Sequence, residues 1–554
     1  MSRFYGLLMC LAASSAANPL PELIIVDRDT IGGTTYDWQQ SGPAIQTVVN
    51  DPAYGIHATW MYSAATGPYP DRNKRYNFMD RTTGEWGWID PANYMNSGVN
   101  SYIGTTGYGT IDVHPATGVA YISAHYTTWP SVVRDAAPGA GIFEECGGPP
   151  NCSAFVWPVS AISGDGTVHN ALIDAPSRSQ VYYSRITSWG SWSAPYYISS
   201  SPGIDPVYPS HNIAVSRQSN QAIVTWSDPM EDDVQLFLRR STDNGNSWAD
   251  AELLPPPPAF TPGSDTVPQY DVTGAYVAFD PGDNWHLVTT VIPKVQGLTY
   301  IMPVEIWHYC PTQTPQWSRI RRAECDTLHL AGSVGYAASY ACRPSIAFGR
   351  NGRCTVVWEE FDSSNVEPAT GRLRADIKSS LSCDNGQGWY PDGGWAVTEP
   401  DETSKRFPFV ATVTSREDYE DTIHVVFEQD LQAGFPIKNE GTVTDNPIVY
   451  VKAVWIGSGV EEGSAAAPAP LRLVVAPNPF RDQVEFSVGV VGSASLVVSD
   501  VAGRSVRELT MDARARSVVW DGRNSAGTRL PAGVYFYRLS AGSASVRGKL
   551  LMTD

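Results

Sequence analysis

Nine histidines stand in this 554-residue chain, and imidazole is the side chain best suited to bind a transition metal or to move a proton near neutral pH. Four of them, His57, His169, His286 and His424, fall at one place in a repeated unit, near the start of its second strand. Val119, Ile223 and Thr355 hold that place in other copies. A position shared between copies belongs to architecture, and equivalent positions lie in different units rather than around one ion. No His-x-x-x-His or Cys-x-x-Cys spacing adds a metal signature, so no metal ligands and no cofactor-binding residues are expected. Among the carboxylates, Glu231-Asp232-Asp233 and Glu399 to Glu402 lie between strands and read as solvated loops. Glu359-Glu360 and Asp228 follow strands, and are the ones that could line a glycosidase site. The 27 Tyr and 18 Trp could stack on sugar rings, although many must fill the core.

The elements that position these residues recur. Between residues 41 and 456 a unit repeats about seven times: a short apolar strand, a turn, and a second apolar strand that often ends in an aromatic. Asn212-Ile213-Ala214-Val215 leads into Ala222-Ile223-Val224-Thr225-Trp226, and Ser345-Ile346-Ala347-Phe348 leads into Cys354-Thr355-Val356-Val357-Trp358. The other copies are Ala44 to Trp60, Thr110 to Ile122, Ser160 to Leu172, Tyr276 to Thr289 and Phe409 to Phe427, most with a third strand behind. Strands rich in Val, Ile, Thr and aromatics between Gly, Asn, Asp and Pro turns predict antiparallel sheet. Sheets of this size bury both faces by stacking around a ring, so the expected fold is all-β, a β-propeller of seven blades or alternatively six. Leu23-Ile24-Ile25-Val26, within an N-terminal segment 18–40, could add the strand that closes the ring.

Residues 457–470 are a Gly, Ala, Pro and Glu linker with almost nothing to bury. Residues 471–554 then carry about seven short strands, the pattern of an Ig-like β-sandwich. At the other end, Met1-Ser2-Arg3, the apolar run Phe4 to Ala13 and Ser15-Ala16-Ala17 predict a signal peptide over residues 1–17, hence a secreted or cell-surface protein. No later stretch is apolar for long enough to span a membrane. The net charge of −19 disfavours nucleic acid as a partner. In an oxidising compartment Cys146 and Cys152, close across a Gly-Gly-Pro-Pro turn, form one candidate disulfide, and Cys310 and Cys325 a second.

Two of the repeats end in the same turn, Ser-x-Asp-x-Gly-x-x-Trp: Ser241, Asp243, Gly245 and Trp248, then Ser382, Asp384, Gly386 and Trp389. This resembles the Asp-box, or BNR repeat, of sialidase-like propellers. The resemblance implies a structural role: the Asp bonds to turn amides and the Trp packs beneath the hairpin. Sialidases also need three arginines, a Tyr–Glu pair and an Asp, and usually carry an Arg-Ile-Pro motif before the first blade. Here the nearest sequences are Arg343-Pro344 and Arg406-Phe407-Pro408, in late blades. The end of the chain resembles the type IX secretion sorting and FlgD-like Ig-like domains, through Pro477-Asn478-Pro479-Phe480, Val501-Ala502-Gly503-Arg504, Trp520-Asp521-Gly522-Arg523 and Pro531-Ala532-Gly533-Val534-Tyr535-Phe536-Tyr537. That implies export through a secretion machinery.

The expectation is a secreted, non-catalytic propeller acting in adhesion, glycan binding or extracellular assembly by self-association, with no catalytic residue assigned. An exo-glycosidase of sialidase type is the alternative.

Overall fold

The computed structural model describes residues 21–40, 42–200, 210–230, 233–260, 269–295, 298–299, 303–324, 331–335, 338–417, 420–456, 473–488, 494–500, 504–511, 517–541 and 544–553. The predicted signal peptide and linker lie outside them. The chain divides into two units, Pro21–Trp455 and one built on Ile456–Asp554. Among the described residues the only helical segments are four short 3-10 turns, and no helix is long and apolar enough to cross a membrane.

The larger unit is a propeller-like succession of seven antiparallel sheets of four or five strands. Their innermost strands are Val48–Asp51, Ile111–Val113, Phe155–Ile162, Asn212–Val215, Gln269–Phe279, Ala341–Phe348 and Ser404–Val410; the sheets are numbered 1 to 7 in that order. Each innermost strand contacts the next, and that of sheet 1 also touches Glu420–Asp430 of sheet 7. Strand Glu22–Thr34 joins sheet 7 beside Asn446–Ile456, so the N-terminal strand is thirteen residues long where the sequence marked four.

Alternation fixes the packing. The second strands send Trp60, Trp226 and Trp358 inward at equivalent places in sheets 1, 4 and 6, each 2% exposed or less. Burying an indole contributes roughly 4–6 kcal/mol of transfer free energy. The segment before Val48 enters among the innermost strands: Asn212 Nδ2 donates to the Ala44 carbonyl at 3.1 Å, and Gln46 Nε2 donates to the Ile111 carbonyl at 2.8 Å. Tyr276 and Thr412 donate to Gln46 Oε1 at 3.4 and 3.5 Å. Ala44 and Gln46 therefore reach sheets 2, 4 and 5 and the Thr412 loop that follows the innermost strand of sheet 7.

Four innermost strands carry a bulge near their start, between Val156 and Val159, Thr273 and Tyr276, Cys342 and Ser345, and Arg406 and Phe409. Each bulge holds one left-handed residue: Trp157 (φ 50°), Gly274 (φ 67°), Arg343 (φ 56°) and Phe407 (φ 54°). Tyr108 (φ 31°) precedes the innermost strand of sheet 2. A bulge re-aims a side chain that alternation would send elsewhere.

The smaller unit is a sandwich. One sheet holds Leu473–Ala476, Val484–Val488 and Ser517–Trp520; the other holds Ser505–Met511, Ala494–Ser499, Gly533–Ala541 and Ala544–Met552. Phe480, Phe486, Leu496, Trp520 and Leu550 form its core. Strand Ser505–Met511 escaped the sequence reading because Arg507, Glu508 and Thr510 interrupt its apolar alternation.

Candidate functional site

Among the described residues, thirteen non-glycine residues have positive φ. Six are Asn or Asp, which tolerate this region in turns. The remaining seven are bulky: Tyr69, Tyr108, Trp157, Arg178, Phe260, Arg343 and Phe407. Such outliers cost on the order of 1–3 kcal/mol each and cluster where a site needs them.

Three of them meet at one recess. Tyr108 and Trp157 line it together with Gln40, Pro43, Val159 and His211, around a small space of about 30 Å³ that opens to the surface. Arg178, held by a tight turn in the Val168–Asp174 to Gln180–Ser188 hairpin, places its guanidinium 4.9 Å from the centre of the Trp157 ring. Arg72 lies 5.3 Å from the Tyr36 ring and donates from Nε to the Thr106 carbonyl at 3.0 Å. A Cβ at Gly107 would fall 3.2 Å from the Arg72 guanidinium carbon, so glycine there leaves room for the cation. The Tyr36 and Tyr108 hydroxyls bond each other at 2.8 Å. Neither Arg72 nor Arg178 forms an ion pair among the described residues.

Two histidines flank Trp157. His125 stacks on Tyr108, with centroids 6.0 Å apart and 15° between planes, and meets Trp157 edge-on at 6.5 Å. Its Nδ1 lies 2.5 Å from the Tyr126 carbonyl. A carbonyl only accepts, so Nδ1 carries the proton and Nε2 is a bare lone pair. His211 is the mirror case, with Nε2 donating to the Trp157 carbonyl at 2.8 Å. The bare nitrogens, His125 Nε2 and His211 Nδ1, are buried without a partner. Burial pushes both imidazoles down to about 4, and Arg72 and Arg178 add to the effect at His125. Both are neutral at pH 7.

The same bulge in sheets 6 and 7 carries different chemistry. Arg343 pairs with Glu359 Oε1, and Arg406 approaches the same oxygen at 3.4 Å. The Phe407 amide donates to Glu359 Oε2 at 2.7 Å. Burial pushes the Glu359 carboxyl up, but the two guanidiniums outweigh it and hold it below its ordinary value. Both arginine side chains are 2% exposed, so they clamp a carboxylate of the chain itself. Glu360, the neighbouring candidate, is tied to Arg321 at 2.8 Å. Nearby, Asp37 is buried with neither carboxylate oxygen hydrogen-bonded. Burial raises Asp37 and Glu428 well above their ordinary values and Asp430 to about 7.

Residues 481–545 match the FlgD Ig-like domain. No curated protein matches the chain. Solved structures similar to it include an ulvan lyase of a polysaccharide lyase family (9% identity, 76% of this chain and 95% of that one, TM-score 0.47). A protein of unknown function from Dyadobacter fermentans shares 12% identity over 78% of this chain and 99% of that one, at TM-score 0.37. A thermostable family-43 glycoside hydrolase shares 12% over 57% and 95%, at TM-score 0.30. All three TM-scores lie below 0.5, so the functional reading rests on the recess itself. In the FlgD-like domain Trp520 is fully buried, and its indole N–H donates to the Arg523 carbonyl at 2.9 Å, which locks the Trp520-Asp521-Gly522-Arg523 turn.

The residues singled out in sequence sit elsewhere. Asp243 Oδ1 accepts from the Ser241 hydroxyl (2.8 Å) and the Ser247 amide (2.9 Å), and Gly245 donates to Ser241 Oγ at 2.9 Å. Asp384 repeats this with Ser382 (2.6 Å), Gln387 (3.0 Å) and Gly388 (2.9 Å), and Gly386 donates to Ser382 Oγ at 2.8 Å. The four equivalent histidines are buried one per sheet. Nδ1 bonds the Tyr76, Tyr183 or Tyr450 hydroxyl in three cases, at 2.8, 2.7 and 2.7 Å, and His308 in the fourth, at 2.8 Å. The two features interlock. Gly245 lies on Tyr183, where a Cβ would approach the hydroxyl to 1.9 Å, and Gly386 lies on His308, where it would approach the ring to 2.2 Å. Trp248 packs edge-on against Tyr183, and Trp389 against His308. Among the described residues no group of three or more His, Cys, Asp or Glu is placed to hold a metal ion.

Of the four cysteines in the candidate disulfides, the structure describes the side chains of two. Cys146 and Cys310 are free thiols. Cys146 turns to Trp189 and Trp192 and accepts from the Gly190 amide at 3.3 Å. Cys310 is buried 4.0 Å from His286 Nε2 and 3.2 Å from Thr312 Oγ1. The Cys152 side chain and the whole of Cys325 lie outside the described residues. Sequence reasoning missed the recess. Its signal was a bulky residue before Pro or Gly where an innermost strand begins: Tyr108-Gly109, Trp157-Pro158, Arg343-Pro344 and Phe407-Pro408.

Proposed function

We propose that this is an extracellular β-propeller of seven blades in a closed ring that binds an acidic polysaccharide in the Tyr108–Trp157 recess, and that the FlgD-like domain serves its export or attachment. The seven sheets in succession, with the last touching the first, support the ring. The observation that carries the ligand is the pair Arg72 and Arg178, held over aromatic faces beside a recess with no carboxylate paired to them. Arg75, Arg81 and Arg185 also form no ion pair among the described residues, but they are bonded to backbone carbonyls and Asn side chains; what distinguishes Arg72 and Arg178 is their place over aromatic rings beside the recess. Guanidinium to carboxylate or sulfate is a charge-assisted contact worth about 1.5–3 kcal/mol. Aromatic rings accept the apolar face of a sugar.

Calorimetry of the full chain with polygalacturonate, alginate and chondroitin sulfate, against amylose as a neutral control, tests this. Binding of at least one acidic polymer, weakened by salt and absent for amylose, is expected. Equal binding of amylose, or binding to none, overturns it.

A further inference from the structure

Beside the recess, sheet 2 ends in a tight hairpin whose tip carries Tyr126 and Trp129. The Tyr126 amide donates to the Trp129 carbonyl at 2.8 Å, and the two rings stack at 4.1 Å and 23°. The Tyr126 hydroxyl donates to Glu145 Oε2 at 3.1 Å, Tyr102 meets the ring edge-on at 6.0 Å, and Gly104 lies against it, where a Cβ would come within 2.9 Å. Tyr126 is thus held from several sides, and Trp129 rests on it as a partly exposed platform.

The loop alongside presents Ile103, which is 101% exposed. This exposure does not come from a loose loop. Asn73 Nδ2 donates to the Tyr102 and Gly104 carbonyls at 2.9 and 3.0 Å, and Thr105 Oγ1 donates to the Pro70 carbonyl at 2.6 Å. A single exposed isoleucine is common on protein surfaces; what sets Ile103 apart is that two tethered residues hold it outward on the loop that packs against the Tyr126 ring. The surface is small and polar-edged, since Thr127 and Thr128 at the tip are exposed. A protein interface needs a broader apolar centre, whereas a sugar ring has one apolar face and a hydroxyl edge. The tip is tied to the recess through the interior: Tyr108 stacks on the buried His125, and His125 is bonded to the carbonyl of Tyr126.

Resting on the acidic-glycan reading, we propose that the Tyr126–Trp129 tip is an outer subsite that stacks a further sugar unit of the polysaccharide held in the recess, so that the protein recognises a stretch of chain rather than a single unit. Arg72 and Arg178 take the acid group, and Trp129 takes the apolar face of a unit further along.

The test is titration of the full chain with a disaccharide and a longer oligosaccharide cut from polygalacturonate, alginate and chondroitin sulfate. Wild type should bind the longer one more tightly. Trp129→Ala should lower that affinity roughly tenfold, the scale of one aromatic stacking contact, and leave the disaccharide unchanged; Trp129→Phe should restore most of the loss. Arg178→Ala should weaken both lengths. Ile103→Ser gives a second route should Trp129→Ala fail to fold, and should weaken only the longer ligand. Equal binding of both lengths, or no effect of either tip variant, overturns the subsite while leaving the recess intact. Self-association of wild type that Trp129→Ala abolishes would also overturn it, by assigning the tip to a second copy. Failure of both lengths to bind would remove the glycan reading itself.

Discussion

Sheets 3 and 6 use one backbone device for opposite ends. Both open on a bulge with a bulky left-handed residue before a proline, Trp157-Pro158 and Arg343-Pro344, and both bring a guanidinium to an aromatic face: Arg178 to Trp157 at 4.9 Å and Arg343 to Phe407 at 4.7 Å. The difference is one carboxylate. Glu359 stands fully buried between Arg343 and Arg406, whereas no acid is paired with Arg178 or Arg72. A cation with a built-in counter-ion is architecture; the same cation without one is available to a ligand.

The largest expected effect comes from removing that carboxylate. Glu359→Ala leaves two buried guanidiniums uncompensated and frees the Phe407 amide, which should cost about 3–5 kcal/mol in urea denaturation. A loss below about 1 kcal/mol would mean the pair is not the anchor described. The mirror change, Arg178→Ala, should leave stability within about 0.5 kcal/mol, because its turn is set by backbone bonds. If it destabilises as much as Glu359→Ala, the contrast between the two regions is gone.

A third effect concerns pH. Asp430 is fully buried and its pKa lies at about 7, raised first by burial; Asp37 and Glu428 shift the same way. A carboxyl whose folded pKa exceeds its unfolded value binds its proton more tightly when folded. Its stabilisation is therefore complete below about pH 4 and is lost as pH rises to about 7. For Asp430 the span is about 4 kcal/mol at most. The melting temperature should decline across that window, and Asp430→Asn should flatten the slope. A wild-type curve rising from pH 4 to 7 with no change in the variant would contradict the assignment.

The smallest effect is at the Ser241–Trp248 turn. Asp243→Ala removes turn bonds and should cost about 1 kcal/mol with no change in glycan binding. The Asp243 pKa is depressed to about 2, first by the Ser247 hydroxyl bond, so its contribution is present above about pH 4 and fades as pH falls toward 2. Loss of binding without loss of stability would reverse the structural role given to this residue.

What the sequence showed and what it hid follow from these differences. The strand pairs around Trp226 and Trp358 were legible because antiparallel sheets write burial as alternation, and the two Ser-x-Asp-x-Gly turns because they write their own hydrogen bonds as Ser, Asp and Gly at fixed spacing. The equivalence of His57, His169, His286 and His424 was legible, but their Tyr partners were not, since the register that joins them crosses strands. The recess was illegible because Tyr108 and Trp157 read as core aromatics, and positive φ leaves no mark beyond the Pro or Gly that follows. Arg178 looked like one more hairpin-turn residue.

The central claim is that Arg72 and Arg178 are open to an anion while Arg343 and Arg406 are not. The most direct measurement is calorimetric titration of polygalacturonate, alginate and chondroitin sulfate into wild type and the Arg72→Ala/Arg178→Ala double variant, with folding checked by thermal melting. Salt-sensitive binding in wild type and its loss in a stable double variant is the predicted result. Unchanged binding in that variant would contradict the account.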